Sequence, residues 1–240
     1  KALHGHQTAA VTGVGQINRS HIIAGLRKDL QQPLVLICQD DIAARRLQEE
    51  LKAFLQETAP ILPSRELTLY DSAVVSRAWE QKRLRQLHDL MLGKTPLQIL
   101  TWESLSQRTM PPEVLQQAAF SLDIGQEYPI EDLISRLVHA GYSRCAMVEG
   151  PGQFAVRGGI LDIFSPGAQQ PIRLEFWGDE IDSMGEFDLT TQRRMKNVDE
   201  AVILPAAELL GEQTASPFSY FAENTLLCMA ENGRVSERVK

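Results

Sequence analysis

Residues 10–17, Ala10-Val-Thr-Gly13-Val-Gly15-Gln16-Ile17, have the spacing of a phosphate-cradling loop, Gly-x-x-x-x-Gly-Lys-Ser/Thr. Gly13 and Gly15 suit a tight turn ahead of a helix. The lysine that would reach the phosphates is Gln16, and the hydroxyl that would hold magnesium is Ile17. Ala10 stands where the first glycine belongs. Without lysine and hydroxyl, neither the phosphate charge nor the metal is compensated. A second loss points the same way. The apolar run Thr225-Leu-Leu-Cys-Met229 leads into Ala230-Glu231, so one acid of a magnesium-holding pair is absent. Two readings fit: a phosphate-loop architecture emptied of its hydrolytic chemistry, or a strand-to-helix turn that needs small residues.

The remaining polar residues predict no catalytic centre. His4 and His6 sit together at the start of the chain. His21, His88 and His139 fall within amphipathic helical patterns. A metal site needs three or four ordered ligands, and no such group can be composed. Acid pairs such as Asp40-Asp41 and Asp179-Glu180 fall at turns, where they serve as caps. Cys38, Cys145 and Cys228 are odd in number and show no metal-ligand spacing, which suits a reducing, cytoplasmic compartment. No metal and no cofactor is expected.

The informative stretch is Ile172-Arg173-Leu174-Glu175-Phe176-Trp177. Alternate residues of a strand point to opposite faces. Ile172, Leu174 and Phe176 take the core side, and Arg173, Glu175 and Trp177 take the other. A tryptophan on a polar face suits a recognition surface, because Trp and Arg are enriched in binding hot spots. Arg157, just before Gly158-Gly159, joins them if its strand is a neighbour. The alternative is structural: Arg173 interacts with Glu175, and a loop covers Trp177.

Elements that would position these residues follow from the hydrophobic pattern. Strand-like runs at 9–12, Leu34–Cys38 and Leu97–Thr101 alternate with helical patterns after Gly15, after Asp41 (Ile42, Leu47, Leu51, Phe54, Leu55) and over 79–92. This alternation predicts a parallel sheet with helices on its faces. Met110-Pro-Pro breaks the pattern. Beyond it come a helix over 129–140 and short strands joined by Gly158-Gly159, Ser165-Pro-Gly167 and Gly178-Asp179, which predict a small α+β module with an antiparallel sheet.

The chain has 240 residues, 43% hydrophobic and 23% charged, which excludes global disorder. No apolar run approaches the ~18 residues of a membrane span, and the start has no signal-peptide pattern. The net charge of −7 is uneven. Residues 1–116 carry 14 Lys+Arg against 12 Asp+Glu, and residues 117–208 carry 7 against 15. An acidic middle repels a phosphate backbone, so it is a poor nucleic-acid surface.

Three segments carry a resemblance: Gly141-Tyr142; Gly152-Gln-Phe-Ala-Val-Arg157-Gly-Gly-Ile-Leu-Asp162-Ile-Phe164; and Arg173-Leu-Glu175-Phe-Trp-Gly-Asp179-Glu180-Ile-Asp182-Ser. Together they resemble the module shared by UvrB and the bacterial transcription-repair coupling factors. The likeness spans roughly 115–208. Residues 1–114 are similar to the preceding degenerate helicase-like domain, including Leu69-Tyr70-Asp-Ser72, and 209–240 look like the return into that domain. The broken loop at Gln16 and Ile17 and the scarcity of tyrosines separate the chain from UvrB and favour the coupling factors. The implied fold is α/β: a degenerate helicase-like, P-loop-type parallel-sheet domain (1–114, completed or flanked by 209–240) with an inserted α+β module (115–208).

The resemblance implies a non-catalytic adaptor whose module binds UvrA through Arg157, Arg173, Glu175 and Trp177. The last is commonly Phe in the family, and UvrB has a further arginine at the position of Ala155. RNA polymerase and double-stranded DNA are the implied partners of domains beyond this chain. Residues 211–216 are shorter than the helical segment usual in the family. The competing reading is an ATP-using UvrB-like helicase fragment, which the residue at position 16 argues against. A Rossmann enzyme is disfavoured, because no paired glycine fingerprint with an acidic ribose ligand follows the first strand.

Overall fold

The computed structural model describes residues 8–65, 77–208, 211 and 213–230; the side chains of residues 16, 17 and 77 also fall outside the description. His4, His6, Leu69–Ser72 with Tyr70, and Glu231 therefore lie outside the described residues. The chain divides into two compact units: residues 1–61, 96–102 and 224–240, and residues 62–95 and 103–223.

The first unit is a parallel sheet with helices. Helix α1 (Gln16–Asp29) leads to strand β1 (Leu34–Cys38), helix α2 (Asp41–Leu55) and the two-residue strand β2 (Ile61–Leu62). Strand β3 (Leu97–Thr101) and the late strand β12 (Leu226–Met229) both run parallel to β1. Sheet order is β12-β1-β3-β2. Every residue of β1 and β3 is buried, as continuous apolar runs require when both faces are covered. Asp40 caps α2 by accepting a 2.8 Å hydrogen bond from the Ala43 backbone N–H. Ala44, Leu47 and Leu51 form the buried stripe of that helix.

Three expectations fail in this unit. No strand forms at 9–12, and Val11 is exposed. Both edges of β1 are occupied, by β12 and β3, so 9–12 finds no place beside it. Ile42 points to solvent, because α2 buries the stripe led by Ala44 instead. Phe54 of the same expected stripe is likewise exposed.

In the second unit, helix α3 (Arg77–Met91) ends at Gly93, and α4 (Trp102–Ser106) and α5 (Pro112–Ala118) lead to strand β4 (Phe120–Asp123). Helix α6 (Ile130–His139) precedes a six-stranded sheet of β5 (Ser143–Arg144), β6 (Gln153–Arg157), β7 (Ile160–Phe164), β8 (Ile172–Trp177), β9 (Glu180–Phe187) and β10 (Arg194–Asn197). They lie side by side in that order, antiparallel except for the parallel β5–β6 pair. Strand β11 (Glu200–Ile203) pairs with β4 as a separate ribbon. One face of the sheet packs on α6 and this ribbon through Leu161, Ile163, Leu174, Met184, Leu133, Leu137, Phe120 and Ile203. The turns after β6, β7 and β8 fall at Gly158-Gly159, Ser165-Pro-Gly167 and Gly178-Asp179, as the sequence marked; the β9–β10 turn at 188–193 is an addition.

A buried ion pair ties distant segments of this unit. The Glu208 carboxylate accepts from the Thr109 hydroxyl and, at 3.3 Å, from the Met110 backbone N–H. It pairs with Arg83 of α3 at 3.3 Å and with Arg65 at 3.5 Å. Burial pulls the Arg83 guanidinium below its ordinary pKa, and Glu208 opposes that shift.

Gly141 closes α6 with a φ of +85°, and a Cβ there would lie 2.8 Å from Ala207 Cβ and 3.2 Å from the Ala207 backbone N. A left-handed residue other than glycine costs ~1–2 kcal/mol, and neither contact atom is the tip of a flexible chain. Gly141→Ala is expected to lower stability by about 2–4 kcal/mol. Denaturant unfolding checks this; an unchanged midpoint would contradict the close approach.

Candidate functional site

The sheet face opposite the core carries the charged residues. Strand β7 reads Ile-Leu-Asp-Ile-Phe: Leu161 and Ile163 enter the core, and Asp162 points the other way. Phe164 shares that outer side and packs with Val148 and Ala155 in a second, smaller apolar cluster. Loops cover part of this face, so Asp162 is only 1% exposed.

A buried carboxylate must be paired or it neutralises. Asp162 is paired twice. Arg173 on β8 meets it as a fork, Nε to Oδ1 at 2.7 Å and Nη2 to Oδ2 at 2.9 Å. Arg157 on β6 donates from Nη2 to Oδ2 at 2.6 Å. Both distances and geometry belong to the strong, charge-assisted class. Sheet register explains the meeting: Asp162 lies directly opposite Arg173, and Arg157 pairs with Ile160, two residues before Asp162 on the same face.

Arg173 is further held. Its Nη1 and Nη2 donate to the Gln192 backbone O and to Oε1, both at 3.2 Å, and its guanidinium lies 4.4 Å from the Phe187 ring centroid. The Asp162 hydrogen bond raises its pKa above the ordinary arginine value, with burial opposing. Its side chain is 17% exposed, against 45% for Arg157.

Glu175 belongs to a neighbouring triad. It accepts from Arg194 Nη2 at 3.0 Å and from Ser183 Oγ at 3.0 Å, and Arg194 also donates to Ser183 at 2.9 Å. The structural alternative of an Arg173–Glu175 interaction is thereby replaced: Arg173 turns to Asp162, and Glu175 to Arg194. Trp177 stands at the end of β8, 82% exposed, after a bulge between Glu175 and Phe176. No loop covers it among the described residues. The hairpin tips at 158–159 and 178–179 put Arg157 and Trp177 at the same end of the sheet.

The face therefore gathers Arg157, Arg173, Glu175 and Trp177, and adds Asp162, Ser183, Gln192 and Arg194. One signal for the additions was present: an acid inside the otherwise apolar run Ile160–Phe164 needs a cation beside it. Arg194 and Gln192 come from a distant hairpin, which strand alternation cannot locate. In these contacts three arginines meet two carboxylates, and Glu180 pairs directly across from Trp177.

The glycine-rich turn is arranged differently. Gly13 has φ +73°, Gly15 is the extended N-cap of α1, and Gln16 and Ile17 begin the helix. The cleft above the carboxyl ends of β1 and β12, lined by Arg19, Cys38, Gln39, Ala43, Leu47 and Ala230, encloses about 10 Å³. Among the described residues no group of three or more His, Cys, Asp or Glu is placed to hold a metal ion, and no helix is long and apolar enough to cross a membrane.

Residues 120–209 match the UvrB interaction domain family. Over most of its length the chain is similar to transcription-repair-coupling factors. It is 34% identical to that of Myxococcus xanthus over 216 residues (87% of this chain), 31% to that of Staphylococcus aureus strain USA300 over 207 residues (86%), and 29% to that of Bacillus subtilis over 201 residues (83%). The chain belongs to the transcription-repair-coupling factor family. It corresponds to the amino-terminal, UvrB-homology region, and the match spans 18%, 18% and 17% of those relatives.

The geometry separates stability from exposure on this face. Arg173→Ala leaves buried Asp162 with one partner and is expected to destabilise by about 2–3 kcal/mol. Trp177→Ala removes an exposed ring and is expected to change stability by less than ~0.5 kcal/mol. Thermal unfolding of both variants distinguishes them; equal melting temperatures would mean that the Asp162 pair contributes nothing.

Proposed function

We propose that this region is a non-catalytic adaptor that binds UvrA and brings nucleotide excision repair to stalled RNA polymerase. The observation that carries the reading is the ion-paired face with exposed Trp177 and Arg157, lying within the segment that matches the UvrB interaction domain. A fixed arginine and an exposed aromatic ring at the same end of one sheet are residue types enriched in protein-binding hot spots. We assign this role to the module over 115–208, with Arg157, Arg173, Glu175 and Trp177 on the binding face. The helicase-like character of the first unit, and contacts with RNA polymerase and double-stranded DNA by parts of the protein beyond these residues, belong to the same proposal.

The test is a binding titration of this chain with purified UvrA. Arg157→Ala is expected to cost about 2–3 kcal/mol, a loss of roughly 30- to 150-fold in affinity, with little change in melting temperature. Trp177→Ala is expected to weaken binding by at least ~1 kcal/mol. Unchanged affinity in both variants would remove this face from the interface.

The second reading, an ATP-using helicase fragment, has only the Gly13–Gly15 turn in its favour. Non-catalytic status is supported by Gln16, Ile17 and Ala230 in the chemical positions. Purified chain is expected to hydrolyse no ATP above background and to show no ATP-dependent rise in melting temperature. Saturable, magnesium-dependent turnover would favour the helicase reading.

A further inference from the structure

The Arg157–Asp162–Arg173 bridge contains more bonds than the fold requires. Arg173 alone engages both oxygens of Asp162 through its fork. Neutralising the buried carboxylate is thus complete without Arg157. Arg157 nevertheless reaches Oδ2, spending one N–H on an oxygen that already accepts from Arg173. A guanidinium has five N–H donors. The others of Arg157 have no partner among the described residues, on a side chain 45% exposed. The result is an arginine anchored at one edge and open at the other.

We propose that Asp162 is a positioning residue for partner binding: with Arg173 as its strut, it holds the Arg157 guanidinium so that its remaining donors face a carboxylate of the partner. The proposal rests on the UvrA-binding reading and deepens it. The physical gain is pre-ordering. An exposed arginine otherwise samples many rotamers, and freezing such a side chain on binding costs about 2- to 10-fold in affinity. Arg157 follows β6 into the Gly158-Gly159 turn, where its own strand ends. No cross-strand side chain continues past it to restrain it, and the Asp162 oxygen supplies that restraint.

The alternative is that Asp162 only stabilises the sheet. The two roles differ in a measurable sign. Asp162→Asn keeps the shape and one acceptor oxygen, turns the other oxygen into an NH2 donor and removes a negative charge, leaving the face more positive. Charge alone would then leave binding to an acidic surface unchanged or tighter. Loss of positioning weakens it.

The experiment titrates UvrA against the intact chain and against Asp162→Asn, Arg157→Ala and the double variant, with melting temperatures recorded beside each. Asp162→Asn is expected to weaken binding by about 3- to 10-fold. The double variant is expected to bind no more weakly than Arg157→Ala, because the two changes remove one shared contribution. Wild-type or tighter binding by Asp162→Asn, or losses that add in the double variant, would overturn the proposal. If Arg157→Ala itself binds normally, the UvrA-facing assignment fails instead, which is a separate outcome. A folding defect in Asp162→Asn leaves a second measurement on the unaltered chain. Nitrogen-15 relaxation at Arg157 Nε is expected to show an order parameter above about 0.6, as for a restrained group. Free reorientation of that guanidinium would show that Asp162 does not hold it.

Discussion

A carboxylate inside a β-sheet module cannot stay unpaired, and the outer face of the second unit is arranged around that constraint. Asp162 sits on the middle of β7, nearly fully buried. An uncompensated ion there would cost several kcal/mol. The compensating cations come from the two strands that flank β7, Arg157 from β6 and Arg173 from β8. This ties register to electrostatics. A slip of one residue would turn Asp162 into the apolar core and Leu161 or Ile163 outward. The alternation that builds the core and the pairing that neutralises the acid therefore select the same register. The same pairing concentrates arginine on the face that also presents Trp177.

Glu208 repeats the device elsewhere in the same unit. It is fully buried, and its partners come from far along the chain: Arg65, Arg83 on α3, and Thr109 with Met110. Its own backbone N–H donates to Glu80 at 2.6 Å. Tyr220 adds a 2.7 Å hydrogen bond to the Met110 carbonyl, and burial raises its pKa well above the ordinary phenol value. Buried ion pairs contribute little net stability compared with apolar packing, but removing one partner is costly. Two such centres make the second unit intolerant of losing Arg173 or Arg83, positions that look like surface residues in the sequence. The first unit relies on another principle, continuous apolar strands paired in parallel between helices.

The nucleotide-loop residues and the charged face illustrate opposite uses of sequence. At Gly13–Ile17 the residue types alone decide the chemistry: a glutamine cannot supply the phosphate-reaching charge, and an isoleucine cannot hold magnesium, in any fold. On the sheet face, residue types announce that something is bound, but the same arginines could have been free, mutually repelled or paired to Glu175. Only the register across three strands selects among these.

What the sequence by itself determined is whatever depends on local periodicity and turn chemistry. The apolar runs at Leu34–Cys38 and Leu97–Thr101 marked doubly covered strands, and Gly158-Gly159, Ser165-Pro-Gly167 and Gly178-Asp179 marked three of the module's turns, while the glycine-free β9–β10 turn at 188–193 was not marked. The alternation in Ile172–Trp177 placed its six side chains on their faces. Tertiary structure decided what depends on a third partner. Residues 9–12 have strand composition but no vacant edge beside β1, so they remain a loop. Ile42 fits the helical period, yet the sheet takes the adjacent stripe. Arg173 chose Asp162 over the nearer Glu175 because Asp162 lies directly across the β7–β8 ladder and is buried, where an ion pair is least screened by water. Glu175 stays accessible enough to be served by Arg194 from β10. Neighbours in sequence compete poorly with neighbours across a sheet, since in a strand two residues on one face stand ~6.6 Å apart while directly paired residues stand ~5 Å apart.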